Sequence, residues 1–197
     1  MTLPEALRAP EEDFWLRPTL EMARALLGCV LVHDLGQQQL AGRIVETEAY
    51  LQDDPASHSF GGRSRRNAAM FGPPGRAYVY FTYGNHFCLN VVTAADGMGE
   101  AVLIRAMEPL AGMEEMAARR VRSSPRELLS GPGKICQAMG IDRSLDGHPL
   151  DAEPLRLFTD RWDTGEICEA KRVGISRAAD RCWRFYPLRS GAWVSRR

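Results

Sequence analysis

The segment RAYVYFTYGNHFCLNVV, residues 76–92, constrains the fold more than any other. Its two apolar-aromatic arms flank Tyr83, Gly84, Asn85 and His86. Gly84 and Asn85 at the centre read as the turn of a β-hairpin. Alternation along the arms puts Tyr78 and Tyr80 on one face of the first arm. His86, Cys88 and Asn90 share a face of the return arm, and Tyr83 stands at the tip. Elsewhere the pattern predicts a helix over 19–27, with Thr19 as N-cap and Gly28 as its stop. Strands follow at about 29–34 and 39–50, joined at Gly36, and another strand covers 101–107. A helix is expected over 114–121, and a second over 128–139, broken by GPG at 131–133. Short strands at 155–158 and 170–175 complete the series. There is no βαβ rhythm. The expected fold class is α+β: a single mixed domain with a curved, mostly antiparallel sheet, flanking helices and a protruding β-hairpin. Residues 1–18 read as a loosely packed lead-in, and 19–197 as one domain.

The chain's 197 residues can bury a sizeable core without disulfide or metal staples. No run of about 18 apolar residues occurs, so no transmembrane helix and no membrane partner are expected. The N-terminus is acidic and polar, unlike a secretory signal. The five cysteines contain no Cys-x-x-Cys pair and read as reduced thiols of a cytoplasmic protein. The four histidines are scattered. His86 and Cys88 share a strand face but make only two ligands, so no metal is expected.

Net charge is zero, which taken alone argues against a nucleic-acid partner. Its distribution points the other way. Residues 61–76 carry Arg63, Arg65, Arg66 and Arg76 without an acid, and residues 171–197 hold eight bases against one acid. Residues 142–169 hold eight acids against three bases. A chain polarised in this way can present one basic face. Only Lys134 and Lys171 of the 25 basic residues are lysines, and arginine suits bidentate phosphate contacts, although genomic codon bias accounts equally for the ratio.

Four segments could carry chemistry. In RIVETEAY, 43–50, strand periodicity places Glu46, Glu48 and Tyr50 on one face. This is either an acid–base pair beside an aromatic or a solvated strand face. The 25-residue stretch 52–76 is too long for an ordinary connection, and it contains His58 and the arginine cluster. On the hairpin, Tyr83 could wedge into stacked bases, and Asn90 could read a base edge. In SGPGK, 130–134, Ser130 as N-cap with Pro132 near the first turn would make an anion site close to Lys134.

Together these stretches resemble the alkyladenine (3-methyladenine) DNA glycosylase family. The resemblance lies in GRIVETEAYL (42–51), ASHSFGGRSRRNAAMF (56–71), YVYFTYGNHFCLNVV (78–92), VLIRAMEPLAG (102–112), SGPGKICQAMGI (130–141) and RVGI followed by RFY (172–186). It implies a monofunctional glycosylase that flips alkylated or deaminated purines from duplex DNA and hydrolyses the N-glycosidic bond. Glu48 would activate the attacking water, with Arg105 close to it. Tyr50, His58 and Tyr80 would sandwich the flipped base, and Asn90 would abut the purine. Tyr83 would fill the vacated duplex position. Asn85, polar where relatives have a bulkier apolar side chain, would lie against the opposite strand. Arg63, Arg65, Arg66 and Lys134 are the candidate DNA contacts. No cofactor is implied, and a monomer is expected. A hydrolase of free nucleosides would need the carboxylate but no wedge. A non-catalytic binder of distorted DNA would not need Glu48.

Overall fold

The computed structural model describes residues 6–82, 84–122, 124–160 and 162–195. Its helices and strands, in chain order, are α1 Thr19–Ala25, β1 Val30–Asp34, β2 Gln39–Tyr50, β3 Ala77–Thr82, β4 His86–Val92, β5 Ala101–Ala111, α2 Met113–Arg120, α3 Pro125–Leu128, α4 Pro132–Met139, β6 Leu155–Phe158, β7 Ile167–Ala170 and β8 Arg184–Pro187. The strands form one sheet in the order β3-β4-β5-β2-β1-β6, with β8 paired to both β2 and β7. Every pairing is antiparallel. The result is the expected α+β domain, a curled half-barrel with helices against it.

The β2 strand organises the sheet. β5 follows one of its edges from Ala41 to Tyr50. The other edge is shared: β1 takes 39–43 and β8 takes Thr47 and Glu48. Nearly every β2 residue is therefore buried. Charges on a strand buried in this way must find partners, because an unpaired charge in a low-dielectric interior is prohibitive. The β2–β5 ladder also slips at three points, once between Ala41 and Gly42 and twice around Glu46. Ile44 faces Met107 but Glu46 faces Ala106, so Val45 is an extra residue on β2. Thr47 then faces Ile104, which makes Arg105 an extra residue on β5. The two bulges around Glu46 cancel and the preceding register resumes. Bulges bend a strand and re-aim side chains, and these two set Arg105 beside the glutamates of β2.

Alternation separates two faces. Val79, Leu89, Val91, Val102 and Ile104 pack into the main core with α1 and α4. On the opposite face Tyr78, Val92 and Ala101 pack with Met70 and Phe71, and Tyr50 and Tyr80 lean on that cluster.

Several local expectations give way to tertiary partners. Pro18, not Thr19, is the N-cap of α1. The Thr19 hydroxyl instead bonds to Thr93 and Glu100, far along the chain, and so does not cap its own helix. The expected 128–139 helix is two helices, because Gly131 is extended and Pro132 starts afresh. Gly131 is the N-cap of α4, and the Ser130 hydroxyl accepts from Lys134 Nζ at 3.1 Å instead. The 170–175 strand lies earlier, at β7, and β8 is a strand that the sequence pattern does not predict. Residues 12–16 form a 3-10 turn whose Phe14 and Trp15 enter the main core, so the described part of the lead-in is anchored.

Candidate active site

A cleft of about 280 Å³ opens on the face opposite the main core. The hairpin contributes Tyr78 and Tyr80 from β3 and Cys88 and Asn90 from β4, on one face as period two requires. Leu103 and Arg105 enter from β5, Tyr50 from the end of β2, and Val173 from the loop after β7.

Glu48 lies behind the cleft wall with no exposed surface. Three groups that touch it line the cleft. The Tyr50 hydroxyl donates to Oε2 at 2.8 Å, the Val173 backbone amide donates to Oε1 at 2.7 Å, and Arg105 Nη1 approaches Oε2 at 3.4 Å. Burial raises the Glu48 pKa above the ordinary carboxylate value, against the opposing pull of Arg105 and the two hydrogen bonds. A carboxylate made more basic by burial, with donors already orienting it, is suited to removing a proton. Tyr50, also raised by burial and by Glu48, stays protonated and acts as a donor.

Glu46 is equally buried but differently occupied. Its Oε2 accepts from the Ser195 backbone amide at 2.6 Å, and its Oε1 from the Ser195 hydroxyl at 3.0 Å. Arg105 Nε lies 3.3 Å from Oε1 and Arg184 Nε 2.9 Å from it. The Arg184 contact is an ion pair by distance, but its N–H is not aligned on the oxygen and makes no hydrogen bond. The solvated-face reading of RIVETEAY is thus overturned. Both glutamates are buried, and arginines from distant segments lie against them.

His58 and Tyr80 meet edge to face at 4.5 Å between ring centroids, with Tyr78 and Tyr80 at 5.4 Å. His58 Nδ1 shares a 2.9 Å hydrogen bond with the Tyr78 hydroxyl. Much of the His58 side chain is exposed, yet its ring is desolvated on the tyrosine side. That desolvation, with Arg66 nearby, lowers its pKa. Burial lifts the Tyr78 phenol to about 12 and raises that of Tyr80, whose hydroxyl pairs with Cys88. Asn90 donates from Nδ2 to the Tyr78 carbonyl at 3.0 Å. This fixes the amide and leaves its oxygen as the free end. Tyr50, His58, Tyr80 and Asn90 thus converge on the same cleft as Arg105.

Several residues that hold this arrangement carry no mark in the sequence pattern. Asn67 ties the long loop together: it donates to the carbonyls of His58 (2.8 Å) and Gly62 (3.0 Å) and accepts from the Ser64 amide (2.6 Å) and hydroxyl (2.9 Å). Every hydrogen-bonding position of the amide group is engaged. The cluster of Asn, Ser and Gly around it was the available signal. Arg172 and Asp54, both fully buried, form an ion pair that joins two loops, and Arg172 stacks over Tyr50 with its guanidinium 4.6 Å from the ring centroid.

Arg63, Arg65 and Arg66 are exposed on the long loop, and Asn85 is exposed beside the hairpin turn. Arg66 Nη2 lies 3.5 Å from the Phe81 carbonyl, which links the loop to the hairpin. Gly133 at the start of α4 lets the helix abut that hairpin: a Cβ there would stand 2.9 Å from His86 Cγ. Tyr83 lies outside the described residues. Three basic residues of the two arginine-rich stretches are committed internally: Arg76 to the Gly147 carbonyl, Arg172 to Asp54 and Arg184 to Glu46. Among the described residues no three His, Cys, Asp or Glu side chains cluster as metal ligands would.

The comparisons with known proteins fix the class first: residues 13–190 match the family model of methylpurine-DNA glycosylase, a DNA repair hydrolase. Relatives agree over essentially their whole length. A protein of Methanoculleus marisnigri is 49% identical, with all of both chains aligned. One of Carboxydothermus hydrogenoformans is 47% identical over 94% of this chain and 97% of its own, and one of Rhodopseudomonas palustris is 48% identical over 98% and 93%. The names of all three carry the words 3-methyladenine DNA glycosylase. The chain belongs to the methylpurine-DNA glycosylase family.

Proposed function

We propose that the protein is a monofunctional glycosylase that takes an alkylated purine, such as 3-methyladenine, out of duplex DNA and hydrolyses its N-glycosidic bond. The observation that carries this reading is the buried Glu48, oriented by Tyr50 and Val173 and flanked by Arg105, directly behind an aromatic cleft. Inside a stacked duplex the sugar carbon is shielded, so the nucleotide must be extruded at a cost of a few kcal/mol. Tyr83, between Thr82 and Gly84 in the hairpin sequence, is the candidate to fill the vacancy. Tyr50, His58 and Tyr80 would hold the base. Their electron-rich faces favour a cationic alkylated purine over a neutral one. Hypoxanthine and ethenoadenine, which lack that charge, would be slower substrates. His58, with its lowered pKa, is a poor proton donor to them near neutral pH.

As the bond breaks, positive charge builds on the sugar. Glu48 stabilises it and takes the proton of the attacking water, by the logic of glycoside hydrolysis. No lysine is among the described residues of the cleft wall, which supports simple hydrolysis over a Schiff-base route. Exposed Arg63, Arg65 and Arg66, with Lys134 and Asn85, would meet the DNA backbone. We place the protein in the cytoplasm, acting as a monomer. The test is single-turnover release from duplexes that each carry one defined lesion, beside the free nucleosides. Release of 3-methyladenine from the duplex alone is expected, and equal turnover of the nucleoside would refute the reading. In the same assay Tyr83→Ser should weaken flipping reported by a fluorescent base without lowering the melting temperature.

A further inference from the structure

Arg105 makes an unusual set of contacts. Charge-assisted N–H···O bonds run at about 2.7–2.9 Å. Yet Arg105 stands 3.3 Å from Glu46 and 3.4 Å from Glu48, short of a close pair with either. Its shortest contact is to a neutral group, the Ser195 hydroxyl, at 3.0 Å from Nη2 and 3.3 Å from Nε. That hydroxyl donates to Glu46 at 3.0 Å, and the Ser195 amide donates to the same carboxylate at 2.6 Å. One donor and both acceptor positions of the hydroxyl are thus in use. It stands between a carboxylate and a guanidinium that would otherwise close on each other.

We propose that Ser195 is a positioning residue for the reaction: its hydroxyl stops Arg105 midway between Glu46 and Glu48, so that Nη1 remains beside Glu48. This rests on the reading of Glu48 as the general base. Without the hydroxyl, Arg105 collapses onto Glu46, the more heavily charged neighbourhood, and Glu48 loses its nearest cation. The other groups facing Glu48 do not replace it. Tyr50 and Val173 are neutral donors, Arg184 on β8 is engaged by Glu46, and Arg172 is engaged by Asp54. Arg105 is the strongest influence opposing the burial that raises Glu48, so its withdrawal makes Glu48 hold its proton to higher pH.

Ser195→Ala, Ser195→Thr and Glu48→Gln are to be compared in the full chain. Ser195→Ala is expected to lower single-turnover base release about tenfold, the weight of one hydrogen bond to a charged group. The acid limb of its pH–rate profile should move to higher pH while duplex affinity stays the same. Ser195→Thr, which keeps the hydroxyl, should restore rate and profile. Independently of turnover, a carbon-13 titration of the Glu48 carboxyl should show its midpoint raised in Ser195→Ala. An unmoved midpoint with a wild-type pH profile overturns the proposal. So does a rate loss that only follows a fall in melting temperature. Should Ser195→Ala not fold, Ser195→Cys keeps the volume with much weaker hydrogen bonding and is read in the same two ways. If Glu48→Gln keeps full activity, the general-base reading fails by itself. If Glu48→Gln is inactive while Ser195→Ala behaves as wild type, Ser195 alone is eliminated.

Discussion

Glu46 and Glu48 stand two residues apart on one strand and are both fully buried, yet their surroundings differ in kind. Around Glu46 the fold closes: the C-terminal segment caps it through Ser195, and arginines from β5 and β8 neutralise it. Around Glu48 the fold stays half-open. Its partners are a phenol, one backbone amide and a distant guanidinium, and all three line the cleft. Burial alone therefore does not make a carboxylate reactive. What separates the two sites is how far the charge is compensated, and Glu48 is left with a raised proton affinity beside the cleft.

The comparison breaks if the two glutamates respond alike. Glu48→Gln should cut single-turnover base release by about 10²–10⁴-fold with lesion binding retained. Near wild-type release would remove Glu48 from the chemistry. The same variant sharpens the contrast in stability. Because the folded pKa of Glu48 is raised, its favourable contribution is complete below the unfolded carboxylate value and is lost as pH rises through the folded value. In denaturant titrations Glu48→Gln should thus match wild type in acid and exceed it near neutrality. The wild-type rate should rise with pH through that same window, since only the ionised carboxylate accepts a proton.

Glu46→Gln should do the reverse. With Arg105 and Arg184 left undercompensated in the interior, it should cost about 3–5 kcal/mol of unfolding free energy. The rate of the folded fraction should fall less than in Glu48→Gln. A stable Glu46→Gln enzyme would mean that the arginines find other acceptors. Tyr50→Phe removes one donor to Glu48 and should lower the rate about tenfold, with little change in melting temperature. A smaller effect is expected at the rim. Replacing Arg63, Arg65 or Arg66 by alanine should make the slope of log affinity against log salt shallower by about 0.9 for each phosphate that the arginine neutralises, without changing the single-turnover rate at saturation. An affinity indifferent to salt would show that the loop does not meet the backbone.

Legibility follows the range of the interactions involved. The span of β2 and the hairpin can be read because each is a continuous alternating run with a turn signal beside it. The faces shared by Tyr78 with Tyr80 and by Cys88 with Asn90 come from the same alternation. Thr19 and Ser130 look like caps and are not, for the opposite reason. Both have the right side chain for a local bond, but Glu100 and Lys134 claim their hydroxyls. The stretch 171–175 looks like a strand, yet it leaves the sheet after Ala170 and delivers the Val173 amide to Glu48. Nothing near Arg172 or Arg184 in the sequence distinguishes them from the exposed arginines of the long loop. Their carboxylate partners lie more than a hundred residues away.

By itself the sequence determined the antiparallel hairpin, the strand that carries both glutamates, and the set of motifs that mark the glycosylase family. These depend on side-chain alternation and turn chemistry within a few neighbouring residues, and such interactions are written locally. Tertiary structure alone decided which glutamate is sealed and which adjoins the cleft, because that depends on two cancelling bulges and on Arg105, Val173, Arg184 and Ser195 arriving from distant segments. Proton affinity follows the electric field and the loss of water at one point in space, and that field is summed over residues that only the fold brings together.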